Sequence, residues 1–128
     1  MRRRSAIPWV LLLTTTTLAA GCRTAPIPAI EHQILTTDAD PTLEEAEQRI
    51  RAGASARGWT ISDEGSGHLV GRLRARNHLL VVDILHDRSS FDVRYRSSEN
   101  LMDNGGGSAH RKVGAWMTLL ARAISEEP

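Results

Sequence analysis

Groups able to do chemistry are few in this 128-residue chain. It has one thiol, Cys22, and five histidines: His32, His68, His78, His86 and His110. No two histidines stand four apart and there is no second cysteine, so zinc-type ligand spacing is missing. The serine pairs at 89–90 and 97–98 fall in turns and strand ends, and no Gly-x-Ser-x-Gly elbow accompanies them. Asp103-Asn104-Gly105-Gly106-Gly107-Ser108 offers oxygen atoms and a free backbone. It lacks the alternating acids and closing glutamate of a calcium loop. It reads as a loop before a helix, with Ser108 placed to cap that helix. The expectation is no catalytic centre, no metal site and no cofactor.

Ser97-Ser98-Glu99-Asn100-Leu101 is the densest run of short polar groups. Such side chains bond nearby backbone and fix irregular bends. Two roles are open for it. It can turn the last strand towards the last helix, with Leu101 tucked under the sheet. It can also form, with His110, a polar recognition bend.

Cys22 has the most telling surroundings. Arg2, Arg3 and Arg4 are followed by an apolar run from Ile7 to Ala20 and by small residues. A basic start, a short apolar core and a small-residue cut site make a secretory signal. The core is about 14 residues long, too short to span a bilayer as a helix. Leu18-Ala19-Ala20-Gly21-Cys22 resembles the lipobox of bacterial lipoproteins. That resemblance implies removal of residues 1–21, a diacylglycerol on the Cys22 thiol and a fatty acid such as palmitate on the new amino group. Two or more acyl chains make a durable anchor, where one binds only marginally. Arg23 stands where an Asp would favour retention in the inner membrane. This implies the outer membrane, facing the periplasm; a cell with a single membrane is the alternative.

Removing residues 1–21 leaves 107, enough for one small domain and a tether. Without Arg2–Arg4, 13 Lys+Arg face 15 Asp+Glu, a balance of about −2, which argues against a basic nucleic-acid binder. With its only thiol acylated, the domain has no disulfide. Pro26, Pro28 and Pro41 mark residues 22–41 as the lipidated Cys and a semi-extended tether. Residues 32–35 could add a short edge strand. Residues 42–128 form the domain.

Within it, Thr42 and Glu45 make a capping box for a helix over 43–57, ended by Gly58. Leu43, Ala46, Ile50 and Ala54 are its apolar stripe, and Gly53 weakens its interior. Four strands follow at 59–64, 68–75, 78–86 and 90–97, then a helix over 109–125 with Val113, Trp116, Leu120 and Ile124 buried and Met117 at the edge. Trp59 and Trp116 read as core residues. The implied fold is α+β and two-layered: a four-stranded antiparallel meander with an N-terminal and a C-terminal helix on one face.

The turns set a register. Arg76-Asn77 as a two-residue loop brings Leu73 opposite Leu80, Gly71 opposite Val82 and Leu69 opposite Ile84. Gly65-Ser66-Gly67 as a three-residue loop brings Ile61 opposite Gly71 and Trp59 opposite Leu73. Ile84 with Phe91, Val82 with Val93 and Leu80 with Tyr95 keep the same apolar face. On the other face, Arg72 and Arg74 flank Val81 and Leu79 from one side, and Arg94 and Arg96 from the other. Asp83 then meets Asp92 directly, an unfavourable pair unless diagonal arginines offset it. Arginine suits bidentate contact with phosphate or carboxylate. This face is thus a candidate surface for an envelope protein, anionic lipid headgroups or a glycan. A solvated face whose arginine stems cover apolar neighbours is the alternative.

Arg57-Gly58-Trp59, Gly67-His68-Leu69-Val70, His78, Val81-Val82-Asp83-Ile84, Tyr95 to Leu101, His110 and Trp116 together resemble a family of small, uncharacterised bacterial lipoproteins. The resemblance covers most of the mature chain. It departs at Val113-Gly114, where the family carries a Tyr-Asn pair, and at His86, where an aromatic often closes the third strand. It implies the fold and the envelope location, with no established activity. The expectation is a lipid-anchored, non-catalytic binding or assembly accessory. The alternatives are a small-ligand module with a groove between the last helix and the 97–101 bend, and, remotely, a hydrolase.

Overall fold

Helix α1 (Leu43–Ala56) begins where local chemistry allows it. Thr42 is extended, its Oγ1 accepts the Glu45 N–H at 3.1 Å, and its own N–H donates to Glu45 Oε2 at 3.3 Å. This capping box satisfies two of the donors a helix start leaves open. At the other end Gly58 takes φ +82, the Trp59 N–H reaches the Ala54 carbonyl and the Gly58 N–H reaches that of Ser55. That left-handed stop turns the chain directly into the sheet. The computed structural model describes residues 23–126. The leader, the lipobox, Cys22 and residues 127–128 lie outside the described residues.

The sheet has five antiparallel strands, not four. They are β2 (Ile30–Ile34), β3 (Thr60–Gly65), β4 (His68–Ala75), β5 (His78–His86) and β6 (Ser90–Glu99), in the spatial order β2-β6-β5-β4-β3. A separate two-stranded ribbon joins β1 (Thr24–Pro26) to β7 (Ser108–His110), which leads into α2 (Arg111–Glu126). Residues 24–34 therefore do not hang free as a tether. Ile30 lies opposite Val93 and Gln33 opposite Phe91, with a bulge between them where His32 takes φ 53. β2 covers the edge that β6 would otherwise expose, and its bulge breaks the flat outer edge that invites aggregation.

The β4–β5 register is as expected: Leu69 opposite Ile84, Gly71 opposite Val82, Leu73 opposite Leu80. Ile61 lies opposite Gly71, and a Cβ on Gly71 would come within 3.2 Å of both Trp59 and Val82. The β5–β6 register differs by two residues: Ile84 opposite Val93 and Val82 opposite Tyr95. A bulge between Val81 and Val82 then sets Leu80 against Ser98. The cause lies in the turn. Asp87 Oδ1 accepts the N–H groups of Ser89 and Ser90 at 2.8 and 2.7 Å, and the Asp87 N–H donates to the Ser90 carbonyl. This closes a two-residue loop, Arg88-Ser89. A two-residue shift keeps Phe91, Val93 and Tyr95 on the inner face, so the buried set survives, while past the bulge the faces of Ser97, Ser98 and Glu99 exchange.

Both helices share one core with the inner sheet face, including Ile50, Leu80, Ile84, Phe91, Leu120 and Ile124. Gly53 is not a flaw in α1. A Cβ there would lie 2.6 Å from the Ile124 Cα, so glycine lets the two helix backbones approach. On α2 the expected roles reverse: Met117 is fully buried and Trp116 only half-buried, because the inner stripe runs Val113, Met117, Leu120, Ala121 and Ile124. No described helix is long and apolar enough to cross a membrane.

Candidate functional site

The outer sheet face is organised around Asp83. On β5 it lies opposite Val70 of β4 and Arg94 of β6. Its Oδ1 is 2.7 Å from His68 Nε2 and 3.3 Å from Arg96 Nε. Arg96 also reaches Glu64 Oε1 at 3.4 Å, spanning from β6 to β3 across the strand that carries Val70. That span explains why Val70 is 0% exposed on a face with no helix over it. Arg94 pairs with Asp92 at 3.4 Å, and Arg72 donates to Ser62 Oγ at 2.9 Å.

The expected ring of four guanidinium groups around Leu79 and Val81 does not form. The two-residue register difference and the further residue inserted at the Val81/Val82 bulge place Glu99 opposite Leu79 and Ser97 opposite Val81. Arg72 and Arg74 flank the strip from β4 only, opposite Val81 and Leu79. Asp83 and Asp92 do not oppose each other; Asp92 meets Leu85 and accepts the His32 N–H at 2.9 Å. Arg94 and Arg96 therefore hold the protein's own acids. Arg74 is exposed and makes no ion pair among the described residues.

The bend is a bonded joint. Ser98 Oγ and Tyr95 Oη are 2.8 Å apart, and Tyr95 Oη also donates to the Asp103 carboxylate. Asp103 Oδ1 accepts the Gly105 N–H at 2.8 Å. Asn100, at φ 57, donates through Nδ2 to the Asn77 carbonyl, while His78 Nδ1 donates to the Asn100 carbonyl at 2.8 Å. Leu101 is buried, as expected, and its carbonyl accepts the His110 N–H at 2.6 Å. Ser97 and Glu99 remain exposed on β6. Burial first, then the Asp103 carboxylate, raise the Tyr95 pKa; the Tyr95 hydroxyl, then the Gly105 N–H, lower that of Asp103. Tyr95 is thus a donor and no base for Ser98. Apolar patterning placed Tyr95 opposite Leu80 and gave its hydroxyl no role.

His110 lies beside the bend through its backbone, its N–H bonded to Leu101 and its ring near His78, while the ring nitrogen serves the last helix. Its Nδ1 accepts the Lys112 N–H at 3.1 Å, so His110, not Ser108, caps α2; Ser108 belongs to β7. Partial desolvation, followed by Lys112, Arg111, His78 and Arg23, lowers its pKa.

Two openings were not legible in sequence. One, of about 380 Å³, lies between β2 and α2 beside Ile30, Gln33, Thr118 and Arg122, away from the bend. The other, of about 270 Å³, lies beside His32, Gly67, His86, Asp87 and Asp92. There His86 Nδ1 donates to the Asp87 carbonyl at 3.1 Å, and buried Nε2 has no partner among the described residues. No group of three or more His, Cys, Asp or Glu among the described residues is placed to hold a metal ion. No protein family, curated protein or solved structure matches the chain.

Proposed function

We propose that this chain is a lipid-anchored protein of a bacterial cell envelope, acting as a non-catalytic binding or assembly accessory. One observation carries the reading. The run Leu18-Ala19-Ala20-Gly21-Cys22 follows a basic, apolar leader and directly precedes a domain whose first strand opens at Thr24. The outer membrane facing the periplasm, and kinship with the small bacterial lipoproteins, belong to the same reading. Binding is favoured over chemistry because the polar groups of the bend are spent on one another: Tyr95 on Ser98 and Asp103, His78 on Asn100. The surface offered to an envelope protein is the strip of Arg74 and Leu79 on the outer sheet face.

The test is growth with radiolabelled palmitate, followed by membrane fractionation. Wild type carries label and sediments with membranes; Cys22→Ser carries none and keeps residues 1–21. An unlabelled wild type overturns the reading. A photo-crosslinker at position 74 or 79 then yields one discrete protein adduct in cells, and its absence rejects this face. A second reading, a small-ligand module, is favoured by the orphaned His86 Nε2 beside the 270 Å³ opening. Lipid or glycan adducts without protein support it.

A further inference from the structure

We infer that the end of the domain built from β1, β7 and the start of α2 rests directly on the membrane, with Arg23, Arg111 and Lys112 docked onto anionic phospholipid headgroups. This deepens the lipid-anchor reading and rests on it. The chain leaves no slack for a tether. Thr24 is opposite His110 in the β1–β7 ribbon, the Arg23 carbonyl accepts the Arg111 N–H at 3.0 Å, and the Ile27 N–H donates to the Gly107 carbonyl at 2.8 Å. Cys22 is the residue immediately before Arg23. Consecutive Cα atoms are about 3.8 Å apart, so acyl chains on Cys22 enter the bilayer within one residue of a fixed backbone.

The charge at that end is of the sign that headgroups attract. Arg23, Arg111 and Lys112 are exposed and make no ion pairs among the described residues, although the mature chain is slightly acidic overall. All three lie close enough to His110 to disfavour its protonation. Polybasic groups beside a lipid anchor add electrostatic attraction to acyl insertion. The patch also sets an orientation. His78 lies near His110, and β5 carries the chain about 26 Å away from it to His86, at about 3.3 Å per residue. The Arg88-Ser89 turn should therefore point away from the membrane.

The experiment uses the acylated protein bearing one introduced cysteine, Ala115→Cys one turn beyond Arg111 or Arg88→Cys at the far turn. Each is labelled with a nitroxide-quenchable fluorophore. The protein is reconstituted into vesicles of phosphatidylcholine, alone or mixed with phosphatidylglycerol, that carry a headgroup nitroxide. In the mixed vesicles the probe at 115 is quenched several-fold more than the probe at 88. That contrast collapses in phosphatidylcholine alone and in Arg111→Gln/Lys112→Gln, whose melting curve stays that of the parent. Equal quenching at both positions in acylated protein overturns the docking, and so does quenching at 115 that ignores lipid charge or both substitutions. Two labelled thiols per chain would mean a free Cys22, which overturns the lipid anchor itself and the docking with it.

Discussion

The His110 ring ends β7 and caps α2, its Nδ1 accepting the Lys112 N–H at 3.1 Å. One imidazole thereby joins the ribbon to the last helix, and it does so only while Nδ1 is unprotonated. His110→Ala should lower the urea midpoint of the domain, as the loss of an N-cap does. His110→Asn should restore most of that in urea melts, since Asn is a strong cap.

The same ring predicts an acid-sensitive start to α2. Its pKa is lowered from 6.5, so the unfolded chain binds a proton more readily than the folded one. Stability from this group is complete above pH 6.5 and is lost as pH falls from there through the lowered value. Denaturant melts of wild type and His110→Asn should diverge across that window and run parallel above it.

Gly53→Ala tests packing against propensity. Alanine in a helix interior gains roughly 1 kcal/mol over glycine, but overpacking costs about 1–3 kcal/mol. With a Cβ at 2.6 Å from the Ile124 Cα, which is backbone and cannot swing aside, overpacking should win. A lower Tm for Gly53→Ala is the expected outcome; a higher one would mean that the helices separate at little cost.

Asp87 holds the β5–β6 turn through the Ser89 and Ser90 N–H groups, which also lower its pKa from 3.8. Its contribution is present above pH 3.8 and is lost as pH falls through the lowered value. Asp87→Ala should cost about 1–2 kcal/mol, because two N–H groups lose their acceptor. Asp87→Asn should keep much of the turn and flatten the acid limb of the stability profile.

The Asp83–Arg96 contact is half-exposed, so its coupling should be modest. A double-mutant cycle with Asp83→Ala and Arg96→Ala should return about 1 kcal/mol or less. It should shrink further at 1 M salt, where the screening length is about 3 Å.

Which features could be read beforehand follows from the range of the forces that set them. The limits of α1 are local: Thr42 and Glu45 bond across three residues, and Gly58 takes a conformation that other residues resist. The β4–β5 register is nearly as local, since a two-residue turn at Arg76-Asn77 settles it. Reading the β5–β6 turn failed because two registers that differ by two residues bury the same Phe91 and Val93, and apolar pattern cannot separate them. Asp87 decides between them, and with that choice Asp83 gains Arg94 as its neighbour in place of Asp92.

From the chain alone came the basic leader and lipobox-like run, the α+β class, the buried face of β3, β4, β5 and the first half of β6, and the cap of α1. Each depends on residue order over a few positions or on a two- or 3.6-residue period. Only the tertiary structure decided that Thr24–Pro26 pairs with β7 and that the edge strand offered at 32–35 starts at Ile30, that Arg94 and Arg96 bind the protein's own acids, that Gly53 seats Ile124 and that His110 caps α2. Those outcomes depend on which distant segments meet, and an unpaired strand edge or an unneutralised charge takes whatever partner the assembled fold brings within reach.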